Sequence, residues 1–275
     1  MSKRVTIHLC TKDRHAETAL LLQSLRTQTY QHFDVIVVDD ASGTPVAQCY
    51  FVQALLNRLK LEGHRVKQYR IPFSQGVCYA RNKAIELDTY GNGYACRLDD
   101  DCIIEPDYLE RLVKVIDAGY DVASGVIPLM AHPELFRETR FVKPIINEHQ
   151  LDSEGTIIRN NDDCGYRYTE SMVLPTHQFR TNALYKREVQ ERVRYPDFLS
   201  FVGFREEGFF SFKAQIEGYK IGVDTGAVAY HLQCPSGGCR SRTYAQDVQQ
   251  DDAVFREWTK KQYIQKGDFL MKVKQ

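Results

Sequence analysis

Short apolar runs and amphipathic segments alternate through the first half of the chain, and this alternation limits the folds available to it. The clearest run is Phe33–Asp39, whose central Val-Ile-Val-Val is typical of a strand buried on both faces of a sheet. Segments with helical periodicity lie before and after it, at Ala16–Arg26 and Val77–Leu87. Repeated strand–helix alternation predicts an α/β fold with a parallel, doubly wound sheet and helices on both faces. A chain of 275 residues is long enough to bury the core of such a sheet.

The same criteria can be applied along the whole chain. The predicted strands are Val5–Cys10, Phe33–Asp39, Val66–Ile71, Gly93–Leu98, Asp121–Ile127, Phe179–Tyr185 and Ala227–His231. Four predicted helices have clear bounds: Ala16–Arg26, Val77–Leu87, Glu206–Glu217 and Asp251–Gln262. A fifth is opened by Pro45 and has Val46, Tyr50, Leu55, Leu56 and Leu59 on its apolar side. A sixth runs from near Pro106 to just before Gly119.

Between these elements lie two irregular regions. Residues 128–176 are polar and weakly periodic, with the run Asn160–Asn161–Asp162–Asp163, and predict short irregular strands and loops. Ser236–Thr243 is a basic, glycine-containing loop. Because no repeat or low-complexity linker interrupts the chain, we predict a single domain over residues 1–275.

Bulk composition excludes several kinds of partner. Lys+Arg and Asp+Glu both number 36, so net charge gives no general attraction to nucleic acid or to an anionic membrane. The apolar stretch near the N-terminus is too short for a signal-peptide core, and no run is long enough to span a bilayer. We therefore predict a cytoplasmic protein without a transmembrane segment or a nucleic-acid partner, while peripheral membrane association stays open.

Cysteine spacing supports the same compartment. The eight cysteines are scattered, as expected for reduced thiols in a cytosolic protein. Only Cys234 and Cys239 lie close together, and no second Cys or His pair accompanies them, so a glycine-rich loop is favoured over a structural zinc site.

Three polar clusters follow predicted strands directly: Thr11–Asp13, Asp39–Ser42 and Asp99–Asp101. The carboxyl ends of parallel strands form one rim of the sheet, where such folds bind ligands. Adjacent carboxylates repel one another, and Mg²⁺ or Mn²⁺ removes that cost with the oxygen ligands it prefers. If the run stays extended, Asp99 and Asp101 point to one side and Asp100 to the other. An acidic turn before a helix explains the run about equally well.

Two further groups carry acid–base or phosphate-binding chemistry. Glu206 and Glu207 begin a Phe-rich helix, where a carboxylate either caps the helix or, with a raised pKa, serves as a general base. Arg81 lies one turn inside the helix that follows Gly76, and it either pairs with phosphate or is an ordinary helix arginine. His231 ends a strand and becomes a candidate ligand only if it faces Asp101.

Taken together, these segments resemble the inverting family 2 glycosyltransferases of the GT-A fold. The opening VTIHLCTKDRHAETALLLQSLRTQTYQHFDVIVVDDAS is similar to that family's first strand, helix and V-V-D-D-x-S turn, and QGVCYARNKAI to its G-x-x-x-A-R-N helix start. RLDDDCIIEPDYLERL resembles the metal-binding aspartate segment, and REEGFFSFKAQIEGYKI the G-E-D-x-D-L helix. VAYHL and DDAVFREW match the later strand and C-terminal helix. The resemblance implies a mixed, mainly parallel, Rossmann-like sheet.

The resemblance also implies an organisation and a reaction. Residues 1–127 would bind the nucleotide-sugar, 128–235 the acceptor, and 236–275 would add a loop and a helix. A sugar would pass from a nucleoside diphosphate sugar, a UDP-sugar by family frequency, to a hydroxyl of a carbohydrate or other acceptor in glycan or polysaccharide synthesis. The implied cofactor is Mn²⁺ or Mg²⁺, and the mechanism is a single in-line displacement with inversion.

Site residues follow from the same resemblance. Thr11 and either Asp39 or Asp40 would hold the base, Arg81 the base or phosphate, and Glu207 would be the catalytic base. The predicted donor-binding set is Thr11, Asp13, Arg14, Asp39, Asp40, Gly76, Arg81, Asp99 and Asp100; the acceptor-binding set is Asn182 and Glu206; and the metal ligands are Asp101, Asp99 and His231.

The match to the family pattern has departures on the acceptor side. Glu207 stands where Asp is usual, Phe209 where a second acid is usual, and Lys213 replaces the common Arg. The loop Ser236–Thr243, with Arg240 and Arg242, is expected either to close over the diphosphate or to be a mobile surface loop.

Two rival functions remain open at this point. A sugar nucleotidyltransferase would carry a glycine-rich basic loop after the first strand, and Thr11–Arg14 contains no glycine. A non-catalytic nucleotide-sugar or carbohydrate-binding protein would keep the aspartates without a working base. A kinase or ATPase is disfavoured because no G-x-x-x-x-G-K-[ST] loop occurs.

Overall fold

The computed structural model describes residues 3–131, 136–138, 149–153, 157–160 and 163–266. The helices in these ranges are α1 (His15–Arg26), α2 (Tyr50–Leu61), α3 (Val77–Leu87), α4 (Tyr108–Asp117), α5 (Arg187–Arg192), α6 (Glu206–Ile216) and α7 (Tyr244–Lys266). The strands are β1 (Val5–Thr11), β2 (Phe33–Asp39), β3 (Val66–Arg70), β4 (Tyr94–Asp99), β5 (Cys102–Ile104), β6 (Val122–Val126), β7 (Phe136–Arg137), β8 (His149–Leu151), β9 (Ile157–Asn160), β10 (Arg167–Tyr168), β11 (Val173–Pro175), β12 (Ala183–Lys186) and β13 (Ile221–His231).

One large sheet organises the described residues. Its order is β11-β13-β6-β12-β4-β1-β2-β3, with β5 paired to β13 off this path. The β1–β2, β2–β3, β1–β4 and β6–β13 pairs are parallel, whereas β12 runs antiparallel between β4 and β6. The sheet is therefore mixed and mainly parallel, which confirms the predicted fold class.

Helices cover both faces of this sheet, as predicted. Because successive side chains of a strand point to opposite faces, Val35 and Val37 of β2 join the core under α1, α2 and α4. Ile36 and Val38 of the same strand pack under α3 on the other face. Helices α5 and α6 pack on that second face near β4 and β12. All seven residues of β2 are buried, which explains its continuous apolar sequence.

Several predicted boundaries differ from the structure. Pro45 precedes a short 3₁₀ turn at Val46–Gln48, Cys49 is extended, and α2 begins only at Tyr50. Tyr50 is 86% exposed, so the prediction that it lies on the apolar side of this helix was wrong.

The second half of the chain shows larger boundary differences. The strand predicted at Phe179–Tyr185 begins at Ala183, because Phe179 packs into the core ahead of it. The last helix begins at Tyr244, not Asp251, and β13 begins at Ile221, not Ala227. Strand β5 and helix α5 are short enough that their sequences carry no clear periodicity. Part of the region 128–176, including Asn161 and Asp162, lies outside the described residues.

The cysteines and the lengths of the helices bear on two further predictions. None of the eight cysteines, all of which lie in the described ranges, forms a disulfide. Among the described helices, none is both long and apolar enough to cross a membrane. The single-domain organisation stays a prediction.

Candidate functional site

A cavity of about 310 Å³ lies at the carboxyl ends of β1 and β4. The chain segments Val202–Phe204 and Gly238–Arg240 also border it. This is the rim where the sequence predicted that polar clusters would converge. Of the predicted site residues, those that line the cavity are Thr11, Arg14, Asp40, Arg81, Asp99, Asp100, Asp101, Glu206, Glu207 and His231.

The three aspartates divide between two environments. Strand β4 ends at Asp99, and Asp100 and Asp101 form a turn instead of continuing the strand. Asp99 faces Arg81, whose Nη2 donates to its Oδ1 at 2.9 Å. Asp100 and Asp101 instead share Arg14. The condition under which Asp99 and Asp101 would point to one side, an extended run, is not met, because the chain turns at Asp100 and Asp101.

Asp100 and Asp101 form what we call the acidic turn. Arg14, which lies three residues after the end of β1 and directly before α1, places Nη1 2.9 Å from Asp100 Oδ1 and 2.9 Å from Asp101 Oδ2. Both carboxylates are almost fully buried, and burial raises the pKa of Asp100 to about 6. One guanidinium therefore serves two carboxylates at this position.

Strand pairing brings His231 to the acidic turn. Strand β5 runs antiparallel to β13 with Cys102 opposite His231, and the Leu232 N–H donates to the Asp101 carbonyl at 2.8 Å. His231 Nε2 consequently lies 3.3 Å from Asp101 Oδ2. The condition that the sequence set for His231, that it faces Asp101, is met.

Arg81, Arg97, Asp99 and Glu206 form a second group, which we call the ionic cluster. Arg97 is 2% exposed and binds Glu206 through both terminal nitrogens, at 2.7 and 2.9 Å. Arg81 Nη2 lies 3.0 Å from Glu206 Oε1. Burial opposes ionisation of Asp99, but Arg81 and Arg97 outweigh it and hold the pKa of this carboxyl well below its ordinary value. Two guanidinium groups thus balance two carboxylates.

Glu207 follows the ionic cluster directly in sequence and faces the cavity from the first turn of α6. Burial, with the neighbouring charge of Glu206, raises its pKa from 4.5 to about 6. Arg205, the residue directly before α6, has φ of 71°, a strained conformation for a residue with a side chain. A carboxylate with a raised pKa at a cavity wall has the properties of a general base.

The structure distinguishes Asp39 from Asp40. Asp39 accepts backbone N–H bonds from Ser42 and Val46 and a side-chain bond from Arg70, at 2.8, 3.0 and 2.9 Å. It does not line the main cavity but a small one of about 120 Å³. Asp40 does line the main cavity, although Ser74 and two backbone N–H groups also bind it. Asp40 is thus the member of the pair placed to contact a ligand in the main cavity.

Three other predicted residues shape the cavity from outside it. Asn182 was expected to contact the acceptor, but it is fully buried and its Oδ1 accepts the backbone N–H of Asp99 at 2.9 Å. Asp13 accepts the N–H of Gly43. At Gly76, with φ of 89°, a Cβ would lie 2.5 Å from the Phe201 carbonyl oxygen, so a side chain would push away the segment beside the cavity. These positions support the site without lining it.

Sequence reasoning missed two basic residues of the cavity. Arg97 lies two residues before Asp99 on the same strand, and this spacing places both side chains on one face, so the signal was available. Lys12 lines the cavity, donates to Ser74 at 2.7 Å and lies over the ring of Phe201. Neither contact could be derived from spacing, because Ser74 and Phe201 are far away in sequence.

The donor atoms partly fit a divalent cation. Within the described ranges, no three His, Cys, Asp or Glu side chains form a ready metal-binding group, so the predicted set of Asp101, Asp99 and His231 is not assembled. Asp99 is held by the ionic cluster instead. Asp101 and His231, however, offer an oxygen and a nitrogen 3.3 Å apart, and ligands about 2.1 Å from one small ion are separated by about that distance. His231 Nδ1 is buried without a partner.

The fold and the strand-end position of the cavity define the GT-A class of glycosyltransferase folds. The structure resembles S. aureus TarS residues 1–349 with a TM-score of 0.58 and 17% identity, over 92% of this chain and 65% of that one. It resembles GalNAc-T7, solved with UDP, GalNAc and Mn²⁺, with a TM-score of 0.64 and 14% identity, over 83% of this chain and 43% of that one.

Sequence comparison narrows the class to a family. The model of glycosyl transferase family 2 matches residues 6–194, and the chain belongs to this family. A curated relative, the glucosyl-dolichyl phosphate glucuronosyltransferase of Haloferax volcanii, is 22% identical over 186 residues. That match covers 65% of this chain and 56% of the relative, so it spans little more than half of the relative's length.

Proposed function

We propose that the protein is an inverting glycosyltransferase that moves a sugar from a UDP-sugar to a hydroxyl acceptor. The observation that carries this proposal is that Glu207, a carboxyl with a raised pKa, and the acidic turn line the same cavity. The first supplies a base for the acceptor and the second a place for a cation beside the leaving diphosphate. A role in glycan or polysaccharide synthesis, a single domain and a cytoplasmic location are further predictions.

The donor would lie along the strand ends. Thr11 and Asp40 line the cavity where the base is expected. Arg81 lines it as well, and its Nε is buried without a partner. S. aureus TarS residues 1–349 have been solved with UDP and with UDP-GlcNAc, and these complexes support a uridine nucleotide here. Arg240 lines the cavity from the C-terminal loop, where its charge suits a diphosphate.

The acidic turn is our choice for Mn²⁺ or Mg²⁺. Asp101 and His231 would hold the ion, with Asp100 beside them. Asp99 would not be a metal ligand, because Arg81 binds it in the ionic cluster. A bound divalent cation would stabilise the charge that develops on the departing diphosphate.

The chain's own residues suffice to describe the proton and bond changes. The Glu207 carboxylate would take the proton of the acceptor hydroxyl as its oxygen attacks the anomeric carbon. The new carbon–oxygen bond forms as the bond to the diphosphate oxygen breaks on the opposite side, so UDP leaves and the anomeric centre inverts. Glu206, bound to Arg97, would place the helix start that carries Glu207 and would contact the acceptor.

A donor panel with Mn²⁺ tests this function. Thermal unfolding with UDP-, GDP-, dTDP- and CMP-linked sugars should show stabilisation by one nucleotide class. Sugar release from that donor should then be at least about a hundredfold slower in Glu207→Gln, at unchanged donor stabilisation, since general-base catalysis contributes about 10²–10⁴. Glu207→Asp is the matched control, because it keeps the carboxylate.

Two results would contradict the proposal. If no nucleoside diphosphate sugar stabilises the protein, the donor site is absent. If a donor binds, but neither hydrolysis nor transfer to any acceptor in a glycan library occurs in the unmodified protein, the chain is a nucleotide-sugar-binding protein.

A further inference from the structure

The Arg14 guanidinium lies between the two carboxylates of the acidic turn, where a positive charge is needed. Its Nη1 is 2.9 Å from one oxygen of each carboxylate, and its side chain is only 12% exposed. Two carboxylates this close together and this buried would repel one another strongly without a shared positive charge. Burial opposes the charge of Arg14, but Asp100 and Asp101 outweigh it and hold the pKa of the guanidinium above its ordinary value.

The position of Arg14 is built by the fold. Gly237 and Gly238, both with positive φ, pack directly on it: a Cβ at Gly237 would lie 2.6 Å from Arg14 Cγ, and one at Gly238 would lie 3.0 Å from Cζ. The Ser236 carbonyl accepts from Nε at 3.3 Å. The loop that follows β13 is therefore shaped around this arginine.

One carboxylate oxygen of Asp101 lies close both to Arg14 and to the proposed metal ligand His231. Asp101 Oδ2 lies 2.9 Å from Arg14 Nη1 and 3.3 Å from His231 Nε2, and Asp101 and His231 are the pair proposed to hold a divalent cation. A guanidinium at this distance repels a divalent cation on the same carboxylate. The positive charge of Arg14 and that of the ion therefore compete for one acidic turn.

We infer that Arg14 is a resident cation of the acidic turn and that a divalent ion binds there in exchange for its contacts with Asp100 and Asp101. This rests on the proposed function, because it takes the acidic turn as the metal site. Without metal, the positive charge of Arg14 lies between the two carboxylates and holds them close together. With metal, the Arg14 guanidinium is freed from one or both aspartates while it stays at the rim of the cavity.

Mn²⁺ binding measured without substrate tests this exchange. Free Mn²⁺, quantified by its electron paramagnetic resonance signal, gives the Kd of the unmodified protein and of Arg14→Gln, Arg14→Lys, Lys12→Gln and Asp101→Asn. We expect Arg14→Gln to bind Mn²⁺ at least about threefold more tightly, since a competing charge is removed. Lys12→Gln removes a charge from the same cavity without touching the acidic turn, so its Kd should change less.

Stability without metal gives a second readout. In EDTA, Arg14→Gln should unfold at a lower temperature than the unmodified protein, and saturating Mn²⁺ should narrow that difference. Arg14→Lys keeps the positive charge on a compact and more strongly hydrated ammonium group, so its Kd should lie between the two. If Arg14→Gln does not fold, the order of Kd between Arg14→Lys and the unmodified protein still decides the matter.

The outcomes separate this inference from the proposed function. Equal or weaker Mn²⁺ binding in the Arg14 variants, together with loss of binding in Asp101→Asn, would overturn the exchange and leave the metal site standing. Mn²⁺ binding that Asp101→Asn does not weaken would overturn the metal site itself and the exchange with it. Tighter binding in both Arg14 variants, dependent on Asp101, would support both.

Discussion

The acidic turn and the ionic cluster are made from the same kinds of residue and line one cavity, yet their charges are balanced differently. In the ionic cluster two guanidinium groups meet two carboxylates, and Arg97 is 2% exposed. In the acidic turn two carboxylates share one guanidinium, with the imidazole of His231 beside them. The first group has no need of another cation, whereas the second can accept one. The number of charged partners, not the residue type, thus separates a group whose charges are balanced from one with an excess of negative charge.

The largest expected effect is on the ionic cluster. Glu206→Gln should lower the free energy of unfolding by about 3–5 kcal/mol, because it leaves Arg97 buried without its full counter-charge. Chemical denaturation measures this. The double variant Glu206→Gln/Arg97→Met should lose less stability than the sum of the single variants, and strict additivity would show that the two residues do not form one unit.

The next largest effect concerns the acidic turn. Asp101→Asn should slow sugar transfer by at least about a hundredfold, since a metal stabilising a leaving group contributes several kcal/mol. Its melting temperature in EDTA should change little, because one carboxylate that repels its neighbour has been removed. Asp99→Asn is the matched substitution in the ionic cluster, and it should mainly destabilise the fold. If Asp101→Asn mainly destabilised the fold and Asp99→Asn mainly slowed transfer, the acidic turn and the ionic cluster would not differ in the way described.

The raised pKa of Glu207, which lies beside the ionic cluster, predicts that the transfer rate depends on pH. Its pKa is raised to about 6, so the carboxylate needed as a base is lost below that pH and the transfer rate should fall about tenfold per pH unit. Initial rates from pH 5 to 8 measure this profile. Glu207→Asp should retain an acid limb, whereas any residual rate of Glu207→Gln should lack it.

The same shift predicts a change of stability with pH. A carboxyl whose pKa is higher in the folded state stabilises the fold most below its ordinary pKa of 4.5, and this contribution is lost as the pH rises through about 6. Asp100 has a shift of the same sign and adds to the effect. Glu207→Gln should therefore flatten part of the decline in unfolding free energy across that window. An unchanged slope would mean that Glu207 is not protonated there.

The smallest expected effect is on an exposed ion pair, which serves as a reference for the buried ionic cluster. Glu62 binds Arg26 and Arg58 with good geometry, but its side chain is 29% exposed at the surface. Glu62→Gln should cost less than about 1 kcal/mol, since water screens exposed ion pairs and competes for them. Denaturation under the conditions used for Glu206→Gln measures it. A similar loss in both variants would show that burial does not set the strength of the ionic cluster.

Sequence patterns predicted the fold and most of the charged residues that line the cavity, and the differences from the structure have physical causes. The strands β1, β2 and β4 were found because both their faces are buried, which leaves continuous apolar runs. The start of α7 at Tyr244 was missed because its first residues are polar and largely exposed, so they carry no apolar periodicity. Asn182 was given a ligand-binding role, although its full burial beside Asp99 depends on contacts that only folding creates.

The sequence by itself determined which strands carry polar residues at their ends and that the clusters of β1, β2 and β4 would meet at one rim. That follows from local backbone preferences and the direction of parallel strands. Only the tertiary structure decided that Asp99 joins Arg81 and Arg97 while Asp100 and Asp101 join Arg14. Ion pairs between residues distant in sequence depend on where a turn places each side chain by a few ångströms, and spacing along the chain carries no such distances.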